Sequence, residues 1–508
     1  EELTKLGAVS QLKRHTYAAS RDPNAVVGRL NVRPDGWGVL QPDTTGLREM
    51  LIPPGALLFA WHGDRVVGRE VKKNGELYGA VIRVVERKRS VLVGMTEFIR
   101  GTLVLRPDDA LLPVVPLLPR AGVLEGARVA AQLHYPESSG EDDVYGAIDS
   151  VLGISNSLEA ERLAARIKFD LEPAFSADAL KEAQKVAGVS LKDLQGRVDL
   201  RGKRVTAARI AADAPLEVGV QAEPLGNGNV LIGIHVADVA YFIEAGKALD
   251  AATSARGVSV DLSGERLPLL PAVLERAVEF KVGADRLAIS VLVEATPDGN
   301  VVNYIVRQSV INAKTVLSDG LAVAERKLLE RLTRGLREAR GESSGVSVDD
   351  DGAMLGELLL LGNRLAATLM AGIEAPALYR RAPRLGADLE AALERSGGAS
   401  AAMLQGLYEA HTKHGQLLMG VTLEPDLTLE ITQASSRHAD LVNQRVLSHC
   451  LTKLSARRRE LLLHSLPVLA ASLNSLEKNA RLARDSVEQY QLSRQIAPLT
   501  PYRGIVTG

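Results

Sequence analysis

A single cysteine, Cys450, occurs in 508 residues. An internal disulfide framework and a thiolate zinc site are therefore excluded, since each needs at least two. A reducing compartment fits that usage. Aromatic residues make up only 4% of the chain, so stacking on nucleic acid would fall to individual rings and not to a tiled face. Net charge is -1; any polyanion must then be met by local basic patches. No apolar run reaches the roughly 18–20 residues of a membrane span. The nearest approaches, ALLPVVPLLP (110–119) and LGELLLLGNRLAATLM (355–370), are too short or carry charge. A soluble protein without a membrane partner is expected. The chain starts at Glu1, not Met, and stops at TPYRGIVTG. Both ends read as cut, which leaves cytoplasm and organelle stroma or matrix equally open.

What is present is a large apolar fraction, 46%, enough for three or four domains at this length. Residues 1–26 form a polar tail or linker. Residues 27–97 hold short apolar runs split by Gly, Pro and Asp turns, the texture of a small oligonucleotide-binding (OB, cold-shock-type) barrel. Residues 98–153 repeat it as a second, divergent barrel. Helical periodicity follows over 154–196, with Ser157 and Ser176 as N-caps. A larger α/β region occupies 197–500. Its strands include VLIGIHVADVAYFI and RLAISVLVEAT, with Pro297-Asp298-Gly299-Asn300 as a hairpin turn. Helices are expected at 353–372, 400–419 and 437–457, and a last amphipathic one at NSLEKNARLARDSVEQYQLSRQI. The fold class is multidomain α+β.

The chemically suggestive stretch is ARIAADAPLEVGVQAEPLGNGNVLIGIHVADVAYF, residues 208–242. It reads as two strands joined at Gly226-Asn227-Gly228. Before the turn stand only three carboxylates, Asp213, Glu217 and Glu223.

In order, GRLNVRPDGWGVLQP, GNVLIGIHVADVAYFIEAGKALDAATSARGVSV, GADRLAISVLVEATPDGNVVNY, LYRRAP and ADLVNQRVLSH resemble the ribonuclease II and ribonuclease R (RNB) exoribonuclease family. The resemblance covers nearly the whole chain. It implies two N-terminal barrels, an RNB module, and a third OB-type barrel of which YRGIVTG (502–508) would be the first strand and the rest is missing.

The resemblance fails at the catalytic signature. Active members carry an Asp cluster ending in Asp-x-Asp-Asp that holds two Mg2+ ions, because two-metal phosphodiester cleavage needs converging hard oxygen ligands. Here the leading acidic positions are Ala211 and Ala212, and the terminal triplet is Pro215-Leu216-Glu217. Asp213 and Glu217 are left as relics. The family's first Arg before its Ala-Asp-Leu, which steadies charge on the phosphate, is Ser436 in QASSRHADL, and Arg437 keeps the second. The aromatic that clamps the terminal base is Asp261, an anion that repels RNA. The expectation is a pseudo-nuclease: an RNA-binding or structural component of an RNA-associated assembly, with no cofactor. Two alternatives stand beside it. One is an active Mg2+-dependent 3′-to-5′ exoribonuclease with a rebuilt site, drawing on Asp238 or Asp261. The other is a protein-binding scaffold without RNA.

Expected RNA contacts are Arg29, Arg33 and Trp37 on the first barrel, and Arg87, Lys88 and Arg89 in ERKRS (86–90). Tyr379 and Arg380 join them by resemblance, as wall residues of the family's channel, together with Arg437. Ten Lys/Arg against five Asp/Glu over residues 60–106 support a basic stretch, or else a guarded sheet edge. Trp61, Phe59 and Tyr78 are lesser stacking candidates. His235 and Asp238 read as scaffold more than site. The arginines of ARRRELLLH (456–464) read as a solvated helix face or an RNA contact. His411 and His414 lack a third metal ligand unless Glu409 supplies it, and Asp349–Asp351 read as an acidic loop.

Overall fold

The computed structural model describes all residues except 1–8, 14–15, 20–24, 45, 74–75, 136–143, 155–156, 172–173, 189–195, 212–213, 340–350, 382–414, 425 and 497–508. The chain divides into two compact units. One comprises residues 1–171 with 485–508, and the other residues 172–484.

In the first unit, a five-stranded sheet has the spatial order Met50–Ile52, Gly38–Pro42, Ala25–Val32, Arg65–Lys73, Glu76–Glu86. Alternate residues point inward, as strand geometry dictates, and Leu30, Leu40, Ile52, Val66 and Val81 form its core. The Ala25–Val32/Gly38–Pro42 hairpin is set by its turn. Asp35 Oδ1 accepts the Trp37 backbone N–H at 3.0 Å, and Gly36 takes φ 83°, a conformation natural only to glycine. The barrel closes because Gly79 has no side chain: a Cβ there would stand 2.4 Å from Met50 Cγ. Ahead of this barrel, Val9–Lys13 pairs with Thr16–Ala19, a two-stranded sheet where a linker was expected.

The second sheet has the order Val115–Pro116, Thr102–Pro107, Val91–Ile99, Ala127–His134, Tyr145–Ile154. Val91–Ile99 hydrogen-bonds to Thr102–Pro107 and Ala127–His134. It therefore opens the second barrel, whereas an apolar run alone assigned it to the first. A bridge between Leu117 and Gly146, with Leu118 N–H donating to Gly146 O at 2.8 Å, draws the edges together. Helix Leu158–Lys168 begins at Ser157, whose side chain accepts from the Ala160 N–H, the capping pattern expected of it.

The second unit is built on a six-stranded sheet in the order Val198–Asp199, Val301–Val316, Val205–Ala208, Val218–Pro224, Val230–Ala237, Asp285–Ala295. The long strand Val301–Val316 also pairs with Asp285–Ala295, so the sheet returns on itself. Ile232, Ile234, Ile289, Val291 and Val293 fill one face and meet helix Asp351–Gly372, where Gly362 lies against Ile234. That helix is long and apolar enough to cross a membrane by length and composition, yet 61% of its apolar window is buried inside the protein, as in a core helix. Helix Ala177–Ala187 starts at Ser176, which accepts the Ala179 N–H.

Two helical expectations change. Residues 416–419 of the expected 400–419 helix belong to strand Gln416–Gly420, which pairs with Ala377–Arg381, and 400–414 lie outside the described residues. The ARRRELLLH segment and the last amphipathic segment are one continuous helix, Ala456–Gln495, preceded by helix His438–Thr452.

Candidate functional site

Residues 214–217, which lead into strand Val218–Pro224, are pinned at several points. Arg209 Nη1 donates to Ala214 O at 2.7 Å, Ala237 N–H donates to Glu217 O at 2.8 Å, and Phe280 N–H donates to Leu216 O at 2.6 Å. So held, the Glu217 side chain turns inward and is 1% exposed. Its Oε2 accepts the Ser435 N–H at 3.1 Å, while Oε1 has no partner. Burial pushes its carboxyl up to about 7. Asp213 lies outside the described residues.

Beside this segment opens a cavity of about 310 Å³, lined by Ala211, Asp261, Ser436, Arg437 and Arg380 among others. The structure thus brings Ala211, Asp261 and Ser436, three positions that the resemblance singles out, to one place. Glu217 does not line it.

The wall is a lattice of ion pairs. Glu430 Oε2 accepts from Arg380 Nε at 2.8 Å and from Arg437 Nη1 at 2.6 Å. Arg380 also forms a two-pronged pair with Glu477, 2.7 Å on each prong. Burial opposes charge on Glu430, but Arg437 and Arg380 together hold its carboxyl below the usual range. Asp440, in the first turn of helix His438–Thr452, accepts the Gln433 N–H at 2.9 Å. Burial, with Glu430 nearby, pushes its carboxyl up to about 7. Buried amides complete the frame. Asn443 exchanges hydrogen bonds with the backbone of Leu378, and Gln444 accepts the Val239 N–H and donates to Ala237 O.

Further lining comes from one face of helix Ala456–Gln495, namely Glu477, Ala480, Arg481 and Arg484, and from Arg266. Sequence reading missed these residues. Their spacing of three, one and three residues marks a single helical face, so the signal was there; only the partner of that face was not.

The remaining candidates separate. On the first barrel Arg29 and Arg33 are exposed and Trp37 is half-buried, its ring 6.1 Å from Tyr78. Arg87 is committed internally. It donates to Phe59 O, pairs with Asp64 at 2.8 Å, and stacks 3.8 Å over Tyr135. Arg89 donates to His62 O and pairs with Asp109 at 3.1 Å. Both knit the two barrels together, and of ERKRS only Glu86, Lys88 and Ser90 are exposed. Trp61 is core, 8% exposed, and Phe59 packs beside it.

Tyr379 is 0% exposed, in the main core. Its strand alternates faces, so Arg380 reaches the cavity while Tyr379 turns away; it is not a wall residue. His235 is likewise buried, with Nδ1 2.6 Å from Ser290 Oγ, and burial lowers its imidazole to about 3. Asp238 pairs with Arg197 at 2.5 Å and caps the turn at Tyr241. Neither reaches the cavity. Arg458 contacts His449 and Arg459 pairs with Glu374. Glu409, His411, His414, Asp349 and Asp350 lie outside the described residues, whereas Asp351 pairs with Arg326 at 2.5 Å.

Mg2+, the metal the resemblance implies, does not fit these residues. Among the described residues no group of three or more His, Cys, Asp or Glu could hold a metal. Glu217 is sealed away with one oxygen spent on an amide, and arginines dominate the cavity wall. A divalent ion needs converging anionic oxygens, and cationic neighbours oppose it.

A family model described as the RNB domain matches residues 197–322, and one described as the Ribonuclease B OB domain matches residues 28–84. Ribonuclease R of Thermotoga maritima is 33% identical over 325 residues, covering 62% of this chain and 45% of that protein. The match therefore spans less than half of that relative's length. Among solved structures, the apo form of Mycoplasma genitalium RNase R is similar at TM-score 0.73 and 15% identity, over 93% of this chain and 87% of that one. The same RNase R in complex with ribose methylated single-stranded RNA gives 0.71, at 15% identity and the same two coverages. Yeast Ssd1, described as a pseudonuclease, gives 0.67 at 14% identity over 94% of this chain and 74% of that one. At such identities the structural likeness concerns the fold. The chain thus carries, in order, a match to a Ribonuclease B OB domain and a match to an RNB domain.

Proposed function

We propose that this chain is a catalytically degenerate member of the RNB family that holds RNA without cutting it, as a component of an RNA-associated assembly. One observation carries the reading. The cavity that gathers Ala211, Asp261 and Ser436 offers arginine where hydrolysis needs a two-metal carboxylate clamp. Glu217 is too buried to serve it. Phosphate neutralisation by arginine survives without metal, since guanidinium groups bind phosphate through paired charge-assisted hydrogen bonds. The RNA complex of the Mycoplasma relative supports RNA as the ligand class, and the Ssd1 likeness is compatible with lost chemistry. On the first barrel, Arg29, Arg33 and Trp37 are the accessible groups for backbone and base.

The test is a labelled single-stranded RNA incubated with the purified chain, with and without Mg2+ or Mn2+. Shortening is read on a gel and binding by anisotropy in the same samples. The expected result is salt-sensitive binding with the RNA intact. Stepwise shortening that disappears in an Asp213→Asn/Glu217→Gln double variant would overturn the reading and establish a rebuilt nuclease site. Absence of both binding and cutting would overturn the RNA-holding reading in favour of a protein scaffold.

A further inference from the structure

The cavity beside Ala211 is charged in a definite way. Five arginines line it, Arg266, Arg380, Arg437, Arg481 and Arg484, against two carboxylates, Asp261 and Glu477. Not all of that charge is spent on internal pairs. Arg380 and Arg437 are held by Glu430, Arg380 also by Glu477, and Arg266 pairs with Glu275 at 2.8 Å. Arg481 forms no hydrogen bond or ion pair with the described residues, and neither does the Ser436 hydroxyl. Asp261 is partly occupied, its Oδ1 accepting the Gly264 N–H at 2.8 Å. Ser436 and Arg437 lead directly into the 15-residue helix His438–Thr452, whose positive dipole end adds to the same field.

A cavity of about 310 Å³ is the size of a small-molecule site. Its wall of paired, immobile guanidinium groups around an unpaired one matches a compact oxyanion of more than one charge. A phosphomonoester carries about -1.5 to -2 at neutral pH and three acceptor oxygens. A chain-internal phosphodiester carries one charge and must leave by two exits.

We propose that this cavity is a metal-independent site for a terminal phosphomonoester, carried by an RNA end or by a free nucleotide, with Arg481 and Ser436 as its donors. The inference rests on the reading of the site as a vacated metal centre. It goes further in naming the ligand chemistry, which the lost nuclease reaction does not require.

The experiment uses the full chain in EDTA. Fluorescent oligoadenylates are compared as twins, with a 3′-phosphate or 3′-hydroxyl and with a 5′-phosphate or 5′-hydroxyl. Adenosine 3′- and 5′-monophosphates serve as competitors and in thermal-shift assays. A phosphorylated twin should bind about 10-fold more tightly than its hydroxyl partner. Arg481→Ala and Ser436→Glu should each bring the phosphorylated twin down to the affinity of its hydroxyl partner while leaving the melting temperature in place. Both positions are only partly buried, so either variant keeps the test decisive if the other fails to fold. Competition by the mononucleotides at comparable concentration identifies a free nucleotide as the ligand. Preference confined to one oligonucleotide end identifies that RNA end. Equal affinity of the twins, with RNA still bound, would overturn the phosphomonoester site and leave the RNA-holding function standing. Stabilisation by mononucleotides without any RNA binding would do the reverse. A chain that responds to neither probe would sink both.

Discussion

Glu217 accepts the Ser435 N–H at 3.1 Å across 218 residues of chain, tying the entry of one sheet strand to the loop before helix His438–Thr452. This contact gives the buried carboxylate a structural use. Because burial pushes the group up to about 7 from an ordinary value near 4.5, the folded state binds the proton more tightly than the unfolded state. Its favourable contribution is complete below about pH 4.5. It fades as the pH rises toward 7 and stays lost above that. Glu217→Gln should flatten this slope in urea unfolding series. At pH 8 it should raise stability by roughly 3 kcal/mol at most, from the size of the shift. A steeper slope in the variant would show that the carboxylate is charged and needed.

Arg380 should be the most sensitive single charge in the second unit. Replacing it with Met leaves Glu430 with Arg437 alone and leaves Glu477 without its two-pronged partner. Removing one member of a buried pair costs about 3–5 kcal/mol, and Arg380 is 11% exposed. Denaturant midpoints of Arg380→Met against the parent check this. A loss below about 1 kcal/mol would mean that solvent already screens the cluster.

Trp37 and Arg87 should separate binding from folding in the first unit. Trp37→Ala is expected to weaken single-stranded RNA by roughly 1–3 kcal/mol, the value of one stacked base, with the melting temperature little changed. Arg87→Ala should lower stability on the order of 2 kcal/mol, as loss of a hydrogen bond to a charged group does, because Asp64 beneath it is 2% exposed. It should leave the salt dependence of RNA binding intact, whereas Arg33→Ala should reduce that slope by about one.

Gly335 offers a test in which two physical effects oppose each other. Gly335 lies inside helix Val323–Ala339, where helix propensity alone predicts that Ala is better by about 1 kcal/mol. A Cβ at Gly335 would stand 2.0 Å from Asp298 O, at the hairpin turn where Gly299 has φ 89°. Overpacking against backbone costs about 1–3 kcal/mol, so Gly335→Ala should be destabilising in thermal melts.

Local signals are legible in the sequence itself. Ser157 and Ser176 cap their helices because a cap depends only on the next few residues. Pro297-Asp298-Gly299-Asn300 turns the hairpin for the same reason, with Thr296 N–H donating to Asn300 O at 2.9 Å. Ala211, Asp261 and Ser436, which the resemblance singles out one by one, line a single cavity. Features that depend on distant partners are not legible in this way. An apolar alternation such as Val91–Ile99 shows that a strand exists and is silent on which barrel it joins. Arg87 and Arg89 are indistinguishable from solvated charges until Asp64, Asp109 and Tyr135 are placed beside them. Tyr379 and Arg380 are neighbours in sequence, and strand alternation gives them opposite fates.

The ion pairs of Arg380 with Glu430 and Glu477 have one more consequence. Short side chains at 211 and 436 would ordinarily let neighbours fall inward, yet walls braced by opposite charge resist collapse. The hollow then belongs to the solvent, with room for on the order of ten waters at the volume each occupies in the liquid. A ligand that fills it must discharge that water. Its association constant should therefore climb as neutral osmolytes lower water activity, while binding on the open face of the first barrel stays comparatively indifferent to osmotic stress.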